Sequence, residues 1–220
     1  EEGGWAVWVL RAVMLAAILF TTAVWFFDVT IPFVGKGPNG FKGLWHEKAI
    51  EQAQIARELA RGNGFSTKMI RPAALWQFKH KMGVFNLEHT PDTYHAPLGP
   101  WVSSIALRFG NFVRGLFVDE EDPWLMTRKD ISYPHDKVLA ATQLIFFLLS
   151  VLVAYFTAKR LFDRRLANLG AGLLLLCERF WDFSMSGLPQ MLLLFLFVCT
   201  MHVLVLAIEA RNAAKPAWPW

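Results

Sequence analysis

Residues 138–158 read VLAATQLIFFLLSVLVAYFTA, a run with no charge. About twenty such residues in a helix cross the hydrocarbon core of a bilayer, so the run predicts a transmembrane helix. Residues 188–208, LPQMLLLFLFVCTMHVLVLAI, repeat the pattern, and residues 5–27, WAVWVLRAVMLAAILFTTAVWFF, carry one charge, Arg11. A shorter candidate lies at 166–183, LANLGAGLLLLCERFWDF, whose uncharged stretch stops at Glu178 and Arg179. The 220 residues are 55% hydrophobic and 18% charged, with 19 Phe and 10 Trp, which is too apolar and aromatic for an ordinary soluble domain. The expected fold is an all-α integral membrane protein of about four transmembrane helices. The first span is too long for a signal peptide and lacks a small-residue cleavage site, so it reads as a retained anchor.

Charge placement orients these spans. Lys159, Arg160, Arg164 and Arg165 crowd the link after 138–158, and Arg211 and Lys215 follow the last span. Basic residues in short loops stay on the cytoplasmic side, which puts the N-terminus inside and residues 28–137 outside. The chain therefore divides into an N-terminus and first span (1–27), an outer, periplasmic loop (28–137), and the remaining spans with the start of a further segment (138–220). The closing KPAWPW resembles an interfacial lead-in to another span, so the expectation is an N-terminal piece of a longer protein. A multi-pass protein of a cell inner membrane fits the short loops, with membrane lipid as a partner. No nucleic-acid partner is expected from a net charge of only +4.

The outer loop carries two helical patterns. In LWHEKAIEQAQIARELARGNGF (44–65), Trp45, Ala49, Ala53, Ala56 and Ala60 recur at spacings of three and four, predicting a helix over 44–61. Glu47, Lys48, Glu51, Gln54, Arg57, Glu58 and Arg61 are expected to fill its polar surface, and Gly62 to cap it in the left-handed conformation. In PLGPWVSSIALRFGNFVRGLF (97–117), Leu98, Trp101, Ile105, Phe109, Phe112 and Leu116 form one apolar stripe with Arg108 and Arg114 off it. Charges at the bilayer centre are costly, so this helix is expected to lie in the interface rather than cross. Between the two helices Lys68, Arg71, Lys79, His80 and Lys81 suit a phosphate or pyrophosphate head or anionic lipid.

Metal and redox chemistry find little support. His89, Asp92 and His95 in HTPDTYH lack the paired-ligand spacing of a helical zinc motif, so no metal is assigned. Cys177 and Cys199 both fall in apolar spans and act as small hydrophobes. His202, alone in the last span, reads as a hydrogen-bonded packing residue.

The order of parts resembles the N-terminal part of the glycosyltransferase C superfamily, the protein O-mannosyltransferases and lipid A aminoarabinose transferases among them. Glu47, Ile55-Ala56-Arg57 with the Gly62–Phe65 turn, His95-Ala96-Pro97-Leu98-Gly99, and SMSGLPQMLLLF (184–195) carry the resemblance. It implies a membrane enzyme that moves a sugar from a polyprenyl-phosphate donor to an acceptor on the outer face, with no cofactor beyond that lipid-linked substrate. It implies a carboxylate general base in the first outer loop. Glu47, preceded by His46 where the family has Asp, or Glu51 one turn later, would fill that place. Lys68 and Arg71 would face the phosphate, and His95, Glu178 and Gln190 would line the substrate. Gln190 stands where the family often has an acid at the outer start of the fourth span. The alternative is a non-catalytic subunit of the same fold, serving as scaffold or lipid-binding component beside partners in a membrane complex.

Overall fold

A computed structural model of the protein describes residues 43–69, 90–115, 133 and 135–212, with isolated positions between 12 and 41 and between 72 and 80. It is mostly helical. Among the described residues six helices can be given bounds: α1 (Glu47–Arg61), α2 (Leu98–Gly115), α3 (Asp136–Leu161), α4 (Arg164–Leu176), α5 (Glu178–Met185) and α6 (Gln190–Asn212). Two antiparallel two-stranded ladders join β1 (Thr30–Ile31) to β2 (Gly35–Lys36) and β3 (Ser66–Thr67) to β4 (Thr90–Pro91). The chain forms two compact units. One comprises Gly43–Ser150 with Trp181–Phe197, and the other Glu1–Lys42, Val151–Phe180 and Val198–Trp220.

Helices α3 and α6 are long and apolar enough to cross a membrane. No Gly or Pro interrupts either, and Asp136 in the first turn of α3 and Lys159 and Arg160 in its last turn oppose the helix dipole. Three hydroxyls of α3 are satisfied within the helix, as an apolar surround requires. Thr142, Ser150 and Thr157 donate to the carbonyls of Val138, Phe146 and Val153, four residues back. Ile145, Leu149, Leu152 and Phe156 of α3 and Leu193, Phe197, Leu204 and Ile208 of α6 are exposed, as lipid-facing side chains would be.

The candidate span 166–183 is divided. Asp163 caps α4, its carboxylate accepting from the Leu166 amide at 2.7 Å. The helix ends after 13 residues at Cys177, whose backbone is extended. At 1.5 Å per residue this is about 20 Å, short of the roughly 30 Å of hydrocarbon. The break sets Glu178 in the first turn of α5, where a carboxylate is favoured, and leaves it and Arg179 exposed. The first span, 5–27, lies outside the described residues except for scattered positions.

In the unit that begins at Gly43, α1 packs on α2 through its alanine stripe. Ala53 and Ala56 form a core with Leu107 and Leu139, and Leu44, Ala60 and Val138 close around it. Small side chains on α1 let the helices approach closely. A Cβ on Gly110 would lie 3.1 Å from the methyls of Val138, so α2 also meets the start of α3. In the same unit Phe147 meets Trp181 edge-to-face at 5.5 Å, and Met185, Leu188 and Met191 are also buried. The buried Gln143 carbonyl oxygen accepts from the Leu192 amide at 3.4 Å, satisfying a donor in the first turn of α6. In the other unit, His202 of α6 donates from Nδ1 to Thr157 of α3 at 2.9 Å, because the threonine hydroxyl is itself committed to Val153. The Arg160–Glu209 pair, nearly half exposed on both sides, contributes little.

Two helical expectations are met closely and one surface is not. Helix α1 ends at Gly62 with φ 90°, and its amide donates to Glu58 and Leu59 carbonyls. Along α2, Leu98, Trp101, Ile105, Phe109 and Phe112 are all exposed, and Arg108 turns aside to donate to the Leu59 carbonyl at 2.8 Å. On α1, however, Trp45 at the head of the small-residue stripe is exposed, whereas Glu51, Arg57 and Glu58, expected on the surface, are buried. Each of the three is buried against partners supplied by residues outside the helix.

Candidate functional site

The polar cluster begins on α1. Glu51 and Glu58 stand seven residues apart with Ile55 between them, so one helix face carries both carboxylates. Glu51 meets His95, whose Nε2 lies 3.1 Å from Glu51 Oε2. On the other edge of the ring, His95 Nδ1 lies 3.1 Å from Asp92 Oδ2, and the His95 amide donates to the same oxygen at 2.9 Å. All three side chains are at most 8% exposed. Local structure fixes this arrangement. The Asp92 amide donates to the Phe65 carbonyl at 3.1 Å, and β4 pairs with β3 just beyond the α1 cap. Pro97 then starts α2, its carbonyl accepting from Trp101 at 3.0 Å, so the His95 segment is held at both ends.

Six residues along α1 from Glu51, Arg57 forms a buried ion pair with Asp136 at the start of α3 and lies 3.7 Å from the centre of the Tyr133 ring. Burial lowers the guanidinium's pKa, and Asp136 and Tyr133 oppose that shift. Next to it, the buried Glu58 carboxylate accepts from Asn63 at 2.7 Å and faces Arg61 and Lys68, each at 3.4 Å. Burial alone would raise its pKa, but Asn63, Lys68 and Arg61 outweigh it and hold Glu58 below the usual carboxylate range. A depressed folded-state value means that Glu58 stabilises the fold above the unfolded pKa and that this contribution is lost as pH falls through the folded one. In thermal unfolding, Glu58→Gln is therefore expected to lose about 1–2 kcal/mol at neutral pH, and the gap from the parent protein should close on acidification. A gap that is constant with pH would remove the charge from the explanation.

The sequence candidates fare differently. Glu51 and His95 are brought together. Glu47 opens α1 and is exposed; His46 is its N-cap residue without a capping side-chain bond, and its buried Nδ1 has no partner among the described residues. Gln190 opens α6 with its buried Oε1 likewise unpartnered. Lys68 is half exposed and engaged by Glu58. Glu178 is exposed at the head of α5. Arg71 and His89 lie outside the described residues. Among the described residues no group of three or more His, Cys, Asp or Glu is placed to hold a metal ion.

Sequence reasoning weighed Asp92 only as a metal ligand and passed over Tyr133 and Asp136. The signal for Asp92 was its i, i+3 spacing to His95, which a hydrogen-bonded turn uses as readily as a metal site. The stretches that carried the resemblance all lie in one unit, where a Cβ on Gly99 would stand 3.0 Å from Pro189; Glu51, one turn after Glu47, meets His95, and Asp92 meets Phe65. No family model, curated protein or solved structure matches the chain.

Proposed function

We propose that the protein is a membrane glycosyltransferase, or the N-terminal part of one, that moves a sugar from a polyprenyl-phosphate donor to an acceptor hydroxyl on the outer face of a cell inner membrane. On this reading the chain crosses the membrane four times, at 5–27, at α3, through α4 and α5 together because α4 alone is too short, and at α6; the N-terminus is cytoplasmic, and the exposed stripe of α2 rests in the outer interface. The observation that supports it is the Glu51–His95 contact, which joins two separate motifs through a buried carboxylate. Glu51 then takes precedence over Glu47, which is exposed at the helix start.

The reaction needs little else. Glu51 removes the proton of the acceptor hydroxyl as its oxygen bonds to the anomeric carbon. The bond from that carbon to the phosphate oxygen breaks, and the lipid phosphate leaves with the electron pair. Lys68 and Arg71 offset its charge. Glu51→Gln is expected to reduce sugar transfer by roughly 10²–10⁴-fold, the range for loss of a general base, and Glu47→Gln by far less. The measurement is release of polyprenyl phosphate from lipid-linked glucose or mannose by the protein in lipid nanodiscs. Equal activity of Glu51→Gln and the parent would take Glu51 out of the site.

A second reading, a non-catalytic subunit of the same fold, is favoured by Gln190, an amide with no basic chemistry at the start of α6. It predicts no turnover by the parent protein and co-purification with fixed membrane partners.

A further inference from the structure

We infer that His95 and Asp92 are positioning residues for Glu51, the three forming a proton-holding relay rather than a cation site or a packing contact. The inference rests on the transferase reading of Glu51 as general base.

Both ring nitrogens of His95 face carboxylate oxygens, Nδ1 towards Asp92 and Nε2 towards Glu51, each at 3.1 Å. A nitrogen lone pair facing a carboxylate oxygen would be repulsive, so each contact needs a hydrogen. The two contacts suit a hydrogen at each ring nitrogen, Nδ1 towards Asp92 and Nε2 towards Glu51. Asp92 itself is bound twice by one residue, through the ring and the amide of His95, which fixes the imidazole plane. The Tyr94 ring abuts the imidazole edge-on, with centroids 5.0 Å apart. With side chains 7% to 8% exposed, water competes weakly for these bonds.

A neutral packing histidine offers one donor and one acceptor, a pattern that two facing carboxylates do not match, and a lone carboxylate on a helix would sample several rotamers. Here the helix supplies Glu51, the strand end supplies Asp92, and the loop between β4 and α2 supplies the ring that ties them together. The result is a carboxylate held in one orientation on a rigid element before substrate arrives, the condition under which a general base is effective. When Glu51 takes the acceptor proton, the trio gains one proton and the departing phosphate carries away the electron pair. The proton returns to solvent once product has left, and no other reagent is required.

The test uses the full protein in nanodiscs with polyprenyl-phosphate glucose and polyprenyl-phosphate mannose as donors. His95→Asn reproduces at most the Nδ1 side of the ring, whereas His95→Gln can extend an amide donor to Glu51. Positioning predicts that His95→Asn lowers kcat about 10²-fold, the scale of a misplacement near 1 Å, with KM changed less than about threefold. His95→Gln should recover to within about tenfold of the parent, the conservative rescue that a purely structural role would not give. Asp92→Asn should fall between them, and thermal unfolding should show all three variants folded. Parent-like kcat in His95→Asn, or equal losses in the Asn and Gln variants, overturns the positioning role while leaving Glu51 as base. Full activity in Glu51→Gln, or no turnover of either donor by the parent, overturns the transferase reading and this proposal with it.

Discussion

Asp136→Ala is expected to cost about 3–5 kcal/mol, the penalty for leaving the other member of a buried ion pair without its partner. Arg57 is 3% exposed, and with Asp136 gone its charge would keep, among the contacts of the described residues, the face of Tyr133. At 2–4 °C per kcal/mol for a chain of this size, the thermal midpoint should drop by roughly 6–20 °C. The double variant Arg57→Met with Asp136→Leu is the informative companion. It removes both charges and keeps the volume, so it should recover most of the loss. A double variant as unstable as the single one would show that the Tyr133 and backbone contacts of this corner, rather than the buried charge, set its stability. Because the pair spans 79 residues of sequence, its loss also frees the start of α3 from α1, the helix that carries Glu51.

Gly187→Ala is the second large effect. Gly187 has φ 75°, a left-handed backbone that costs a non-glycine residue about 1–2 kcal/mol. Its new Cβ would stand 2.4 Å from Leu44 Cδ2, so Leu44 must move out of the core it closes with Ala53, Leu107 and Leu139. Overpacking of this kind costs about 1–3 kcal/mol more. Gly62 provides the control: its φ is 90°, but no atom stands within 4 Å of an added Cβ, so Gly62→Ala meets only the backbone term. Adding Leu44→Ala to Gly187→Ala should relieve the clash and leave the backbone cost. Equal losses at Gly62 and Gly187 would exclude the Leu44 clash.

What the sequence made legible follows physical lines. Periodicity located α1 and α2, uncharged length located α3 and α6, and Gly62 marked its own cap, because each depends on neighbours within a turn or two. The burial of Glu51, Arg57 and Glu58 depends on His95, Asp136 and Asn63, and the first two lie 44 and 79 residues away. Polar residues on one helix face read as solvated unless their partners are known. The Glu51–Ile55–Glu58 face did contain a buried isoleucine, but pattern alone does not say whether the carboxylates beside it point to water. The division at Cys177 was equally opaque, since LLLLCERF contains neither Gly nor Pro to mark it. Only the Glu178–Arg179 pair hinted that the apolar run would not continue.

On the proposed membrane reading, the Gln143–Leu192 hydrogen bond bears on the order in which α3 and α6 enter the bilayer. The first turn of a helix has amides that hydrocarbon cannot satisfy, and in α6 one of them is met by a side chain from α3. During synthesis α3 leaves the ribosome well before α6, so the acceptor is already seated when α6 arrives. On that reading insertion of the later helix depends on the earlier one, and a Gln143→Leu chain is expected to release α6 from the insertion machinery late even where its finished fold is little changed.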